Sequence, residues 1–264
     1  MPDVVVRGVR FNTVRLGDGE PTVLFLHGLV MDNLSSWYFT VANPVARVAD
    51  VVLFDLRGHG QTERPPEGYT VESLVADIDA LIDELVPDGR PVELVGNSFG
   101  GLLALAYALT HPERTRGLVL VDANMSDGAW GDEITRAFAL KGEERDAMIL
   151  KYAYRWAGRH SERKVNRLIS NAYRLVRKTT LVDDLAASAP VTDEDLARIE
   201  CPVLALYGED SELLDRGERI GRTLPNCEVR LFPGCTHLLL WEATEELKRQ
   251  VVEWVRRPDA GAVG

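Results

Sequence analysis

Short apolar runs alternate along the chain with longer stretches in which apolar positions recur every three or four residues. Thr22–Leu26, Val51–Phe54, Val92–Val95, Leu118–Val121, Val203–Tyr207 and Glu228–Phe232 predict strands. The middle ones are almost wholly apolar, as strands of a parallel sheet covered on both faces are. Val4–Val6 and Phe11–Leu16, on either side of Arg7-Gly8, predict an opening antiparallel hairpin. Val71, Leu74, Val75, Ile78, Leu81, Ile82 and Leu85 place one apolar stripe on a helix over Val71–Val86, with Glu72, Asp79 and Asp83 toward water. Phe99–Leu109 is apolar nearly all round and predicts a buried helix. Glu245–Arg257 predicts a closing helix, and Pro258–Gly264 a frayed end. Strands and helices in alternation predict an α/β fold: a mostly parallel, eight-stranded sheet flanked by helices.

The rhythm breaks between about Met125 and Glu200. That stretch holds no convincing strand but has helical patterns rich in aromatic residues: Trp130, Phe138, Tyr152, Tyr154, Trp156 and Tyr173. Val165, Leu168, Ile169, Ala172, Leu175 and Val176 form one stripe, while Arg163, Arg167, Arg174 and Lys178 fall on another face. The expected organisation is a core of residues 1–124 and 201–264 with an inserted helical unit, 125–200, over the sheet.

Composition narrows the classes. The 264 residues are 45% hydrophobic and 27% charged, with a formal net charge of −11. No apolar run approaches the roughly 20 residues of a membrane helix, and an acidic balance argues against a nucleic-acid partner. Met1-Pro2-Asp3-Val4 has no basic segment leading into an apolar one, so no secretory leader is expected. Cys201, Cys227 and Cys235 are odd in number and lack a Cys-x-x-Cys pair, which predicts reduced thiols and a cytoplasmic protein. His27, His59, His111, His160 and His237 show no short ligand spacing, so no metal site is expected.

The chemistry concentrates in Gly96-Asn97-Ser98-Phe99-Gly100, between the strand Val92–Val95 and a helix. Gly-x-Ser-x-Gly in that strand–turn–helix setting presents a serine at a sharp bend. The glycines permit the turn, and the start of the helix favours developing negative charge. A serine hydroxyl needs a base. His237, in Pro233-Gly234-Cys235-Thr236-His237 after the last strand, is the candidate.

With these motifs the sequence resembles an α/β-hydrolase with a helical cap, over nearly the whole chain. Leu26-His27-Gly28-Leu29 is similar to the family's oxyanion loop, and Asp55-Leu56-Arg57-Gly58-His59-Gly60-Gln61-Thr62 to its Asp-x-Arg-Gly-x-Gly-x-Ser/Thr motif. The resemblance implies an oxyanion hole from the backbone N–H groups of Leu29 and Phe99, and loop-shaping roles for His27 and His59. The triad acid stays open. In many relatives it stands three residues after the glycine ending the seventh strand, where this chain has Ser211, flanked by Asp210 and Glu212. Some relatives place it at the end of the sixth strand, where this chain has Asp122. The candidates, in order, are Asp122, Asp210 and Glu212.

The implied reaction is acyl transfer from an ester or thioester of a largely hydrophobic small molecule through Ser98, without a cofactor. Asn97-Ser98-Phe99 also resembles the elbow of carbon–carbon bond hydrolases acting on ring-cleavage products, although the loop after His27-Gly28 lacks their further glycines. A cyclase or acyltransferase and a non-catalytic ligand-binding protein are the competing classes. Cys235 has no elbow around it and reads as a small packed residue. Arg163, Lys164, Arg167, Arg174, Arg177 and Lys178 read first as the solvated face of a helix. The sharper expectation for them is docking of an acyl carrier protein or a CoA thioester.

Overall fold

The computed structural model describes residues 3–86, 88–125, 143, 144, 147 and 162–258. The chain opens with β1 (Val4–Val6) and β2 (Val9–Phe11), an antiparallel hairpin in which Val6 faces Val9. Arg7 and Gly8 both take positive φ at its turn, matching the twist of the paired strands. β3 (Thr13–Leu16) leaves the hairpin and enters the main sheet. The expected strand Phe11–Leu16 is thus two strands, divided at Asn12. The Asn12 N–H donates to Thr62 Oγ1, its Nδ2 to Asp55 Oδ2 (2.7 Å), and its carbonyl accepts from the Asp55 N–H. These three bonds hold Asn12 to the loop after β5 and redirect the chain.

Among the described residues the main sheet therefore has seven strands, where eight were expected. β4 (Thr22–Leu26), β5 (Asp50–Phe54), β6 (Val92–Asn97), β7 (Thr115–Val121), β8 (Val203–Gly208) and β9 (Cys227–Phe232) complete it in the order β3-β5-β4-β6-β7-β8-β9. β3 is antiparallel to β5 and all other pairs are parallel. Alternate strand residues feed two cores. Leu24, Val52, Leu94, Leu118, Leu120 and Ala205 pack on one face, and Phe25, Leu53, Val95, Val119 and Leu206 on the other.

The first face is covered by α1 (Val71–Leu85) and α2 (Phe99–Thr110). The Thr70 side chain caps α1 by accepting the Ser73 N–H. α1 buries the apolar stripe expected of it, while α2 is buried along nearly its whole length. α3 (Glu162–Lys178) and α4 (Leu181–Ala187) follow. Leu168, Ala172, Leu175 and Val176 of α3 turn toward the core. Asp184 of α4 accepts the Gly68 and Tyr69 N–H groups at 3.2 and 2.7 Å, which ties α4 to the approach of α1. Trp130, Phe138, Tyr152, Tyr154 and Trp156 lie outside the described residues, as do the side chains of Arg163, Lys164 and Val165. Arg167, Arg174 and Lys178 are exposed, and Arg177 lies over the Tyr173 ring at 4.2 Å.

α5 (Leu214–Thr223) follows β8, and α6 (Thr244–Val255) closes the second face with the helical segment 35–45. Glu93 of β6 is a fully buried carboxylate, a charge within an otherwise apolar run. It accepts from Arg116 (3.0 Å), Arg257 (2.9 Å) and Trp254 Nε1 (2.7 Å), joining the end of α6 to the sheet. Among the described residues no helix is long and apolar enough to cross a membrane.

Strand order positions the site. The chain steps outward from β4 to β5, then returns to place β6 on the opposite side of β4. Loops leaving β4 and β6 at their carboxyl ends therefore diverge, and the space between them is where open α/β sheets bind ligands.

Candidate active site

Ser98 stands at that divergence, between the end of β6 and the first residue of α2, with φ 50° and ψ −118°. Its N–H donates to the Val121 carbonyl, and its own carbonyl accepts from Asn124 and Gly101 N–H groups, so the bend is clamped to the end of β7. A β-carbon at position 96 would fall on the Gly100 carbonyl, and one at position 100 on the Leu26 carbonyl. Glycine at both positions lets the elbow press against itself and against β4.

His237, on the loop after β9, reaches the elbow from the far end of the sequence. Its Nε2 lies 3.1 Å from Ser98 Oγ and its Nδ1 2.6 Å from Asp122 Oδ2. The loop is held by Glu242, which accepts from the Thr236 N–H (2.7 Å) and hydroxyl. Asp122 leaves β7 with φ 44°, a left-handed conformation that aspartate tolerates better than most residues. Its carboxylate is buried and also accepts from the Gly208 N–H (3.0 Å) and the Ser211 hydroxyl (2.5 Å).

Of the three acid candidates, only Asp122 is brought to His237. Asp210 is exposed, its N–H donating to the Cys235 carbonyl, and Glu212 is exposed at the start of the following turn. The turn after β8 aims Ser211 inward and the residues on either side of it outward. Cys235 is half-buried, and burial, with Glu242, pushes its thiol pKa up, away from nucleophilic use.

The loop after β4 is shaped by two imidazoles. His27 Nδ1 donates to the Gly28 carbonyl (2.7 Å) and Nε2 accepts the Leu56 N–H (2.9 Å). His59 Nδ1 donates to the Arg57 carbonyl (2.9 Å) and Nε2 accepts the Val30 N–H (2.9 Å), with Val30 at φ 62°. Each histidine thus ties its own loop to the other. Asp32 and Asp55, which sequence reading gave no separate role, add to this. Asp32 accepts the Gly28 N–H (2.8 Å), and Asp55 the Leu34 and Gln61 N–H groups (both 2.8 Å). Arg57 is drawn away from the site into a two-pronged ion pair with buried Asp77 of α1, at 2.7 Å for each prong. Among the described residues the Leu29 N–H has no hydrogen-bond partner. Phe99 is the first residue of α2.

Burial, with the neighbouring His27, pushes the His59 pKa down from 6.5 to about 3. An unfolded chain protonates this imidazole near pH 6.5 while the folded chain does not, so stability is fully present above that pH. It falls as the pH drops toward 3, by about 1.4 kcal/mol per unit from this group. Urea midpoints measured between pH 7.5 and 4.5 are expected to fall more steeply for the native chain than for His59→Gln. Equal slopes would show that His59 is not held neutral.

Among the described residues, the non-glycine positions with positive φ are Arg7, Val30, Ser98 and Asp122. Arg7 belongs to the hairpin turn. The others sit on the three loops that converge here, so backbone strain accumulates where hydroxyl, carboxylate and loop amide are aimed. An imidazole bonded to a buried carboxylate through one nitrogen and to a serine hydroxyl through the other can take the hydroxyl proton. No group of three or more potential metal-ligating side chains occurs among the described residues.

A family model described as "alpha/beta hydrolase fold" matches residues 21–244. The chain is 30% identical to 2-hydroxy-6-oxo-2,4-heptadienoate hydrolase of Pseudomonas putida, over 97% of this chain and 96% of that protein. Its fold is similar to that of an esterase from Exiguobacterium antarcticum (TM-score 0.78, 19% identity, 97% of this chain and 100% of the other). It is also similar to that of an enol-lactonase from Burkholderia xenovorans LB400 (TM-score 0.77, 20% identity, 97% and 100%).

Proposed function

The chain belongs to the α/β-hydrolase fold family, and from that premise we infer that it is a serine-dependent hydrolase cleaving an ester or thioester of a largely hydrophobic small molecule. The observation that carries this reading is the unbroken path from the Asp122 carboxylate through His237 to Ser98 Oγ, with contacts of 2.6 and 3.1 Å. Ser98 Oγ attacks the carbonyl carbon as its proton passes to His237 Nε2, and the Leu29 and Phe99 N–H groups receive the oxyanion. Collapse breaks the bond to the leaving group, which takes the proton from His237. Water, deprotonated by the same imidazole, then releases the acid from Ser98.

A second reading is favoured by the 30% identity that spans nearly the whole of both chains. The substrate named for that relative has a ketone carbonyl and no ester, so its hydrolysis must break a carbon–carbon bond. The same serine attack would serve here, provided the departing carbon leaves as a stabilised carbanion that His237 protonates.

A fluorophosphonate probe is expected to add once, at Ser98, as located by peptide mass spectrometry. Absence of the adduct, or its appearance elsewhere, refutes both readings. Steady-state rates on p-nitrophenyl acyl esters, acyl thioesters and a 2-hydroxy-6-oxo-2,4-dienoate then separate the two. The ester reading requires the oxygen and sulfur esters to have the higher kcat/KM, and it fails if the dienoate exceeds them.

A further inference from the structure

We propose that Ser211 is a positioning residue for the Asp122 carboxylate, and through it for His237; this rests on the role assigned to Asp122 and His237 above. Ser211 lies in the turn after β8 and is buried, 8% exposed. Its hydroxyl meets two groups. The Leu213 N–H donates to Ser211 Oγ at 3.1 Å, and Oγ lies 2.5 Å from Asp122 Oδ2. With the amide already supplying one hydrogen to Oγ, the hydroxyl proton is directed at the carboxylate.

The oxygen it reaches is the one that faces His237 Nδ1, at 2.6 Å. The other oxygen, Oδ1, takes the Gly208 N–H at 3.0 Å. Both oxygens are therefore tied by donors from the last residue of β8 and the turn after it, and the carboxylate cannot rotate about its Cβ–Cγ bond without losing a charge-assisted hydrogen bond. That restraint matters because Asp122 comes from β7 while the imidazole comes from the loop after β9. The β8 turn lies between them and supplies the fixed reference.

The hydrogen bonds of the Ser211 hydroxyl among the described residues go to Asp122 and Leu213, not to Ser98. Its removal should therefore act on the chemical step and leave substrate binding unchanged.

The test measures kcat and KM on the best substrate from the panel above, with active sites counted by fluorophosphonate titration so that misfolded protein does not enter the rate. Ser211→Ala is expected to lower kcat about tenfold with KM unchanged within about twofold, and Ser211→Thr, which keeps the hydroxyl, to restore most of the loss. A kcat for Ser211→Ala equal to that of the native chain overturns the proposal. So does a loss in Ser211→Thr as large as that in Ser211→Ala, since the retained hydroxyl would then be without effect. If Asp122→Asn itself turns over normally, the triad reading falls first and this inference with it.

Discussion

Ser98→Ala is expected to lower kcat/KM by about five orders of magnitude or more, while the chain stays folded with an unchanged circular dichroism spectrum. The effect is large because Oγ is the attacking atom held against His237 and, among the described residues, no thiol or other hydroxyl is hydrogen-bonded to that imidazole. Cys235 is held in its thiol form and lies on the loop that carries His237. Fold is expected to survive because the bend is clamped by backbone bonds, from the Ser98 N–H to Val121 and from Asn124 and Gly101 to the Ser98 carbonyl. None of these involves Oγ. His237→Ala should fall to a similar level, and the double variant little further, since serine and imidazole act as one unit. Single-turnover kinetics check this directly. Retention of even a few per cent of the native rate in Ser98→Ala would mean that the reaction proceeds without an acyl-serine.

Asp122→Asn is the second large effect, a loss of about 10⁴ in kcat. The carboxylate accepts from three donors: the imidazole N–H, the Gly208 N–H and the Ser211 hydroxyl. An amide can accept through one atom only. Its NH₂ group must then face a donor, and if it faces Nδ1 it selects the tautomer with the proton on Nε2, which cannot take one from Ser98. Asp210→Asn, by contrast, is expected to change kcat by less than about twofold, because its exposed side chain reaches nothing in the site. Measuring the two variants side by side decides the acid. A comparable loss in Asp210→Asn would mean that the turn after β8 rearranges during turnover.

Much of the architecture was legible because it is local. The strands from Thr22 to Tyr207 are dense apolar runs, and α1 carries its stripe and its cap in a continuous stretch of sequence. The elbow was legible for the same reason: strand, turn glycines and helix are consecutive. The split at Asn12 was not, since it depends on partners at positions 55 and 62. Nor was Glu93, whose ion pairs come from residues 116 and 257. His27 and His59 could be assigned to loop shaping, but not the cross-bracing through which each serves the other's loop.

The amino-acid order alone determined that a serine is presented at a strand–helix bend and that a histidine follows the last strand. Both follow from neighbours a few residues away. Which carboxylate meets that histidine was decided only by tertiary structure. β7 lies beside β8 in a register that sets Val121 against Leu206, and Asp122 turns left-handed at the next residue. The reason is one of scale. Successive residues are about 3.8 Å apart, farther than a hydrogen bond reaches. Asp210 and Glu212, much nearer to His237 in the sequence, therefore face solvent while the distant Asp122 comes into contact, and only the strands laid side by side decide this.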